Sequence, residues 1–178
     1  MKALEKWKFL TLVIGRLNKQ GSWTGETHIQ KVAFFLKELL GLGKFRFVLY
    51  KYGPFSFDLR KSIAYLKALD LVRLELREPP YGSSLVLTER GRKLAEKLAR
   101  EMDKRTLAKV DEIAKEFGNK TVSELERLST ALYLMGRNLN TEDAAKRLHE
   151  LKPHISEGEA LTACKAIERL LEQYPAHN

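Results

Sequence analysis

A chain of 178 residues and 20.5 kDa, with one cysteine and a formal charge of +9, has room for a real hydrophobic core but not for a barrel-sized enzyme. At 44% hydrophobic and 31% charged residues it is neither disordered nor fibrous. No apolar run reaches the ~18 residues that a membrane helix needs, the start from Met1 to Lys8 lacks a signal peptide's apolar stretch, and Cys164 alone excludes an internal disulfide. A soluble, cytoplasmic protein is expected, and its basicity is lopsided: residues 1–100 hold 20 Lys and Arg against 9 Asp and Glu, a net of +11, whereas residues 101–178 hold 12 against 14, a net of −2.

Apolar residues at Leu4, Trp7, Leu10, Val13, Ile14 and Leu17 fall at helical spacing on one stripe. A second helix begins near Thr24 or Glu26 and carries Ile29, Val32, Ala33, Leu36, Leu39 and Leu40, with Phe34 and Phe35 widening the stripe, before Gly41 and Gly43 stop it. Phe45–Tyr52 is aromatic and β-branched, hence extended. The segment from Tyr52 to Ser56 reads as a turn, with Pro54 biasing Gly53 towards an extended conformation. Ser56 is the N-cap of a third helix, 56–69, with Asp58 in its first turn. Residues 71–78 alternate, Val72, Leu74 and Leu76 against Arg73, Glu75 and Arg77, which predicts a half-buried strand paired through a turn at 79–83 with 84–87. Thr88 caps a helix whose periodicity through Leu94, Leu98, Met102, Leu107, Val110 and Ile113 predicts one run to Phe117. Thr121 with Glu124 and Ser156 with Glu159 read as capping boxes, and Asn140 with Asp143 as a further cap. They predict helices over about 123–136, 141–151 and 157–173.

These elements describe a mainly α chain with a small antiparallel β-hairpin, an α+β class. Their order is the winged helix-turn-helix plan over residues 1–102, followed by a helical extension, 103–178, packed on it or used for dimerisation. In that plan the third helix enters the major groove and the wing lies along the adjacent backbone. Arg60, Lys61 and Lys67 fall on the solvent face of helix 56–69, Arg73 and Arg77 on the outer face of wing 71–88, and Tyr81 at its tip. Several such phosphate contacts would make DNA binding steeply salt-dependent. Lys and Arg are equally the ordinary choice for the solvent face of an amphipathic helix, and Asp58 and Glu75 among them would repel phosphate.

The segments "HIQKVAFFLKELLG", "FVLYKYGPFSFDLRKSIAYLKALDLV" and "LTERGRKLA" resemble the YwgA-like proteins and the related Panacea (SocA-type) antitoxin domains. The matching residues are Gln30, Lys31, Phe34, Phe35, Tyr52, Gly53, Pro54 and Ser56. "ELERLSTALYLMGR" at 124–137, "LKP" at 151–153 and the last helix also resemble the helical end of YwgA-like modules. The resemblance implies an antitoxin-like module that acts by direct protein contact, as a neutraliser or as an adaptor, without catalysis. It gives Gln30, Lys31, Tyr52, Gly53, Pro54 and Ser56 a structural role at a hallmark turn.

No chemistry motif competes with these readings. Gly41-Leu42-Gly43-Lys44 lacks the spacing and the Ser/Thr of a phosphate loop. His149 and His154 straddle Pro153 and have no acidic partner at ligand spacing. Cys164 lies in an apolar-periodic helix and reads as a small buried residue. The sequence therefore predicts a non-enzymatic protein without metal or cofactor, monomeric or homodimeric. The charge placement favours a regulator that binds DNA through helix 56–69 and wing 71–88, with an antitoxin-like module that binds a protein partner such as a toxin as the alternative.

Overall fold

The computed structural model describes residues 3–78 and 82–175. The chain is mainly helical, with two small antiparallel two-stranded sheets. In chain order these are α1 (Ala3–Lys19), α2 (Glu26–Leu40), β1 (Val48–Tyr50), β2 (Gly53–Phe55), α3 (Phe57–Ala68), β3 (Val72–Glu75), β4 (Ser84–Leu87), α4 (Glu89–Glu101), α5 (Lys104–Gly118), α6 (Val122–Met135), α7 (Thr141–Leu151) and α8 (Glu157–Gln173). Among the described residues no helix is long and apolar enough to cross a membrane.

Local chemistry sets most boundaries. Ser56, Thr88, Asn140 and the capping boxes at Thr121 and Ser156 each accept a backbone N–H of the first turn, satisfying donors that a helix start leaves unpaired. Gly41 closes α2 in the left-handed region at φ +66°, where glycine carries no Cβ penalty. Helix α2 is buried nearly all round, from Ile29 to Leu36, because α1, α5, α6 and β2 all pack against it. Phe35 stacks on Phe117 of α5 with ring centroids 3.7 Å apart. One continuous apolar cluster runs from Leu10 of α1 through α2 to Ile167 of α8.

Four local expectations are corrected. The helix predicted from Thr88 to Phe117 is two helices: Met102 is extended, and Asp103 caps α5 by accepting Thr106 N. The apolar period continues across this break, so periodicity alone could not mark it. The predicted extended run over 45–52 is regular only at 48–50, and the predicted turn after it holds β2, with Tyr50 opposite Gly53 and Val48 opposite Phe55. Gly53 adopts φ +83° rather than an extended conformation; the following proline disfavours the right-handed helical region, and only glycine goes cheaply to positive φ. Leu74 of β3 and Leu76 just beyond it are exposed, Leu76 at 86%, because β3 runs clear of the core after Val72, while Leu85 and Leu87 on β4 stay buried. The outer edge of β4 is tied to the α1–α2 connection. Leu85 N donates to Thr24 O at 3.0 Å, and the Asn18 side chain bridges to Leu85 O at 3.1 Å and Leu87 N at 3.0 Å.

Candidate functional site

Two three-residue strands cannot hold a hairpin unaided, and β1–β2 is held by side chains from three helices. Gln30 of α2 pairs with the backbone of Ser56 at both atoms: its Nε2 donates to Ser56 O at 3.0 Å, and its Oε1 accepts from Ser56 N at 2.9 Å. Lys31, the next residue, donates Nζ to Pro54 O at 2.7 Å. It is 2% exposed. Burial pulls its ammonium down from 10.5 to about 7, partly offset by Glu126, and Lys152 adds a further downward push.

Glu126 of α6 and Lys152, just after α7, complete the cluster. Lys152 Nζ lies 3.0 Å from Glu126 Oε1 and donates to the carbonyls of Tyr50 and Lys51. His154 Nε2 approaches the other carboxylate oxygen at 3.4 Å. Glu126 Oε1 meets Lys152 at ion-pair distance without an aligned hydrogen bond, so the contact is chiefly one of charge. Gly53 lies flat on α6: a Cβ there would stand 2.8 Å from Thr130 Oγ1 and 3.1 Å from Ser129 Oγ. The absent side chain at Gly53 is thus what lets the turn seat on the helix.

The clamp presents an aromatic surface. Tyr50, Phe55 and Phe57 contact one another with centroids 5.1 to 5.6 Å apart, and Tyr50, Tyr52 and Phe57 are 54%, 51% and 51% exposed. Arg60 stacks its guanidinium over Phe55 at 4.6 Å and pairs with Glu26 at 2.7 Å. Along α3 the solvent face continues through Lys61, Ala64, Tyr65, Lys67 and Ala68. Asp58 is drawn off this face into an ion pair with Lys6 of α1.

Six residues were expected to face a nucleic acid. Arg60, Lys61 and Lys67 are exposed on α3. Lys61 and Lys67 make no ion pair among the described residues, whereas Arg60 is committed to Glu26. Arg73 and Arg77 lie on the strand face opposite Leu74 and line a cleft with α1 and α4, away from the core-packed side of the hairpin. Tyr81 lies outside the described residues. Of the hallmark-turn residues, Gln30, Lys31, Gly53, Pro54 and Ser56 come together and are buried, and Tyr52 alone faces solvent.

Glu126 and Lys152 escaped sequence reasoning. Both lie inside segments that carry the resemblance, 124–137 and 151–153, but nothing in the residues themselves marks them, and only tertiary packing brings them within reach of residues 30, 31 and 50–54. Tyr50 and Phe57 had a faint signal, as aromatics flanking a glycine-proline turn with no apolar period to bury them. Neither a protein-family model nor a curated protein sequence matches this chain.

Proposed function

We propose that this chain is a non-enzymatic, winged-helix, antitoxin-like module that grips a protein partner through the β1–β2 hairpin and the exposed face of α3. The observation that carries this is the rigid display of Tyr50, Tyr52 and Phe57, half exposed, on a hairpin whose backbone is clamped from beneath by Gln30, Lys31 and Lys152. Aromatic anchors with arginine nearby are what the energetic centres of protein interfaces are made of, and preorganisation lowers the cost of binding. Arg60, Lys61 and Lys67 around the rings favour an acidic partner surface. The winged-helix reading is supported by the helix, helix, helix, hairpin, helix order and by the bonds that tie β4 to the α1–α2 connection. The resemblance to YwgA-like and Panacea proteins adds to the antitoxin-like reading.

The test is co-purification from the native host, comparing the wild-type chain with a Tyr52→Ala, Phe57→Ala variant of unchanged circular dichroism. A stoichiometric partner held by the first and lost by the second is expected. A monomer or homodimer without such a partner refutes the reading.

DNA binding is the second reading, favoured by Lys61 and Lys67, which have no ion-pair partner among the described residues, and by the +11 first half. Against it, the aromatic hairpin occupies the N-terminal end of α3, the end that a recognition helix presents to base edges. Titration of random duplex DNA across a salt series separates the two. Binding that weakens steeply with salt and is lost in Lys61→Glu, Lys67→Glu would favour DNA.

A further inference from the structure

A second surface of the molecule, remote from the aromatic hairpin in the chain and built on other elements, has a different chemistry. A cleft of about 810 Å³ opens between the C-terminal half of α1, the outer face of the β3–β4 hairpin and α4. Two rows of charge border it. The strand side carries Arg73, Glu75 and Arg77; the helix side carries Arg92, Glu96 and Arg100. Arg73 and Arg77 are about 13 Å apart along an extended chain, and Arg92 and Arg100 about 12 Å apart along a helix, so both rows have an arginine at each end and a carboxylate between.

Among the described residues the four cleft arginines have no counter-ion within ion-pair distance. On the same helix Lys93 and Lys97 pair with Glu89 and Glu101 one turn away. Glu96 is one turn from both Arg92 and Arg100, yet among the described residues none of the four cleft arginines lies within 4 Å of a carboxylate. Arg77 donates only to Ser84 Oγ, at 2.7 Å, and Arg92 only weakly to Leu87 O, at 3.4 Å. Arg16, which also borders the cleft, is already committed to Asp111. The four guanidiniums outnumber the two carboxylates, Glu75 and Glu96, that line the same recess, and the surplus positive charge favours an anionic ligand. The planar fork of arginine matches phosphate at two oxygens.

The floor differs from the rim. Gly15, Val86, Ala95 and Ala99 lie there, and the helices are pressed so close that a Cβ on Gly15 would meet Ala95 Cβ at 2.9 Å and Leu87 Cδ1 at 3.0 Å. These small, apolar residues line the same cleft as the charged rows, and apolar surface of that kind suits a ring system. The size is that of a small-molecule site rather than of a duplex contact surface. Glu75 and Glu96 offer acceptors to hydroxyl or amine hydrogens at the centre of the ligand.

We propose that this cleft binds a phosphate-bearing small molecule of nucleotide size, its phosphates held by the arginines and its ring on the apolar residues. This goes beyond the partner-binding face and does not rest on it, since no residue is shared.

The test is calorimetric titration of the full chain at physiological salt with ATP and with inorganic triphosphate. The variants are Arg73→Ala, Arg100→Ala and, as a control on α3, Lys61→Ala, Lys67→Ala. Arg73 and Arg100 are exposed and hold nothing in the fold, so their variant should unfold at the wild-type temperature. ATP should bind more tightly than triphosphate, lose at least about tenfold in the arginine variant, and be unaffected by the lysine variant. Arg73→Lys, Arg100→Lys should fall between, keeping charge and losing the fork. The proposal is overturned if ATP does not bind, if triphosphate binds equally well, if both variants weaken ATP alike, or if the arginine pair matters only for a 20-base-pair duplex added in place of ATP.

Discussion

Replacing Glu126 with Gln changes one charge and almost no volume, and the surroundings make that change expensive. The carboxylate lies 3.0 Å from Lys152 Nζ, the two side chains being 8% and 9% exposed, and it is the group that lifts the buried Lys31 ammonium back towards protonation. Glu126→Gln therefore leaves the Lys152 ammonium buried with no counter-charge and pushes Lys31 further towards its neutral form. Breaking a buried pair from one side costs about 3–5 kcal/mol, a large share of the roughly 5–15 kcal/mol that holds a domain together. For a chain of this length that is a drop in Tm of about 8–15 °C. Thermal and urea unfolding followed by circular dichroism at pH 7.5 would measure it. Glu126→Gln, Lys152→Met should recover at least half of the loss, since replacing both members of a buried pair is close to neutral. A single-variant cost under about 1 kcal/mol, or no recovery in the double variant, would refute the reasoning, because the cluster would then be hydrated enough to behave as a surface pair.

The same cluster fixes a pH signature. Lys31 titrates at about 7 in the fold against 10.5 in the free chain, so between those values the unfolded state holds the extra proton and stability climbs with pH. The contribution is fully present above about 10.5 and gone by about 7; Lys31→Met abolishes the climb, and a wild-type-minus-variant stability curve that stays flat from pH 6.5 to 10 would show the ammonium to be unperturbed. Gly53→Ala should destabilise by about 2–4 kcal/mol, from the positive φ and the 2.8 Å approach to Thr130 Oγ1, as read by urea midpoint; a cost below 1 kcal/mol would mean that the turn lifts off α6 freely. Cys164 is buried, and burial, with a smaller push from Glu168, raises its thiol to about 11; a thiol reagent at pH 8 should modify it only as fast as the chain unfolds, and labelling of the folded chain at the rate of a free cysteine would contradict that placement.

What the sequence made legible was local. Ser56, Thr88, Thr121, Asn140 and Ser156 announce helix starts through their own side chains, and the apolar period of α1 is buried from Leu10 to Leu17 and that of α2 from Ile29 to Leu39, whereas Leu4, at the start of the α1 stripe, is 57% exposed. The Met102–Asp103 break shows the limit of that reasoning. Asp103 caps α5 by accepting Thr106 N, yet the apolar period runs unbroken through Leu98, Met102 and Leu107 and predicts a single helix there. The hairpin shows a second limit. Its turn residues were recognisable, yet pairing of Tyr50 with Gly53 depends on Lys152, about a hundred positions away, reaching the carbonyls of Tyr50 and Lys51. The outward turn of Leu74 and Leu76 was likewise invisible, because alternation gives two faces of a strand without saying how far the core extends beneath either.

The hairpin also explains why the basic first half and the near-neutral second half belong to one device. Every ring of the aromatic surface, from Tyr50 to Phe57, comes from the first half. The charges that hold those rings in place come from both: Lys31 from α2, Glu126 from α6 and Lys152 from the end of α7. An apolar cluster of equal volume could stabilise this packing at least as well. An ionic one tolerates far fewer arrangements, because each ammonium must find its carbonyl or carboxylate. Lys31 reaches Pro54 O and Lys152 reaches Tyr50 O only when the hairpin has its present register, and a slip of one residue would exchange the inward and outward faces of both strands. The orientation of Tyr50, Tyr52 and Phe57 thus depends on helices that follow them by more than sixty residues, so a substitution in α6 that touches no solvent should weaken binding of the partner proposed for the hairpin.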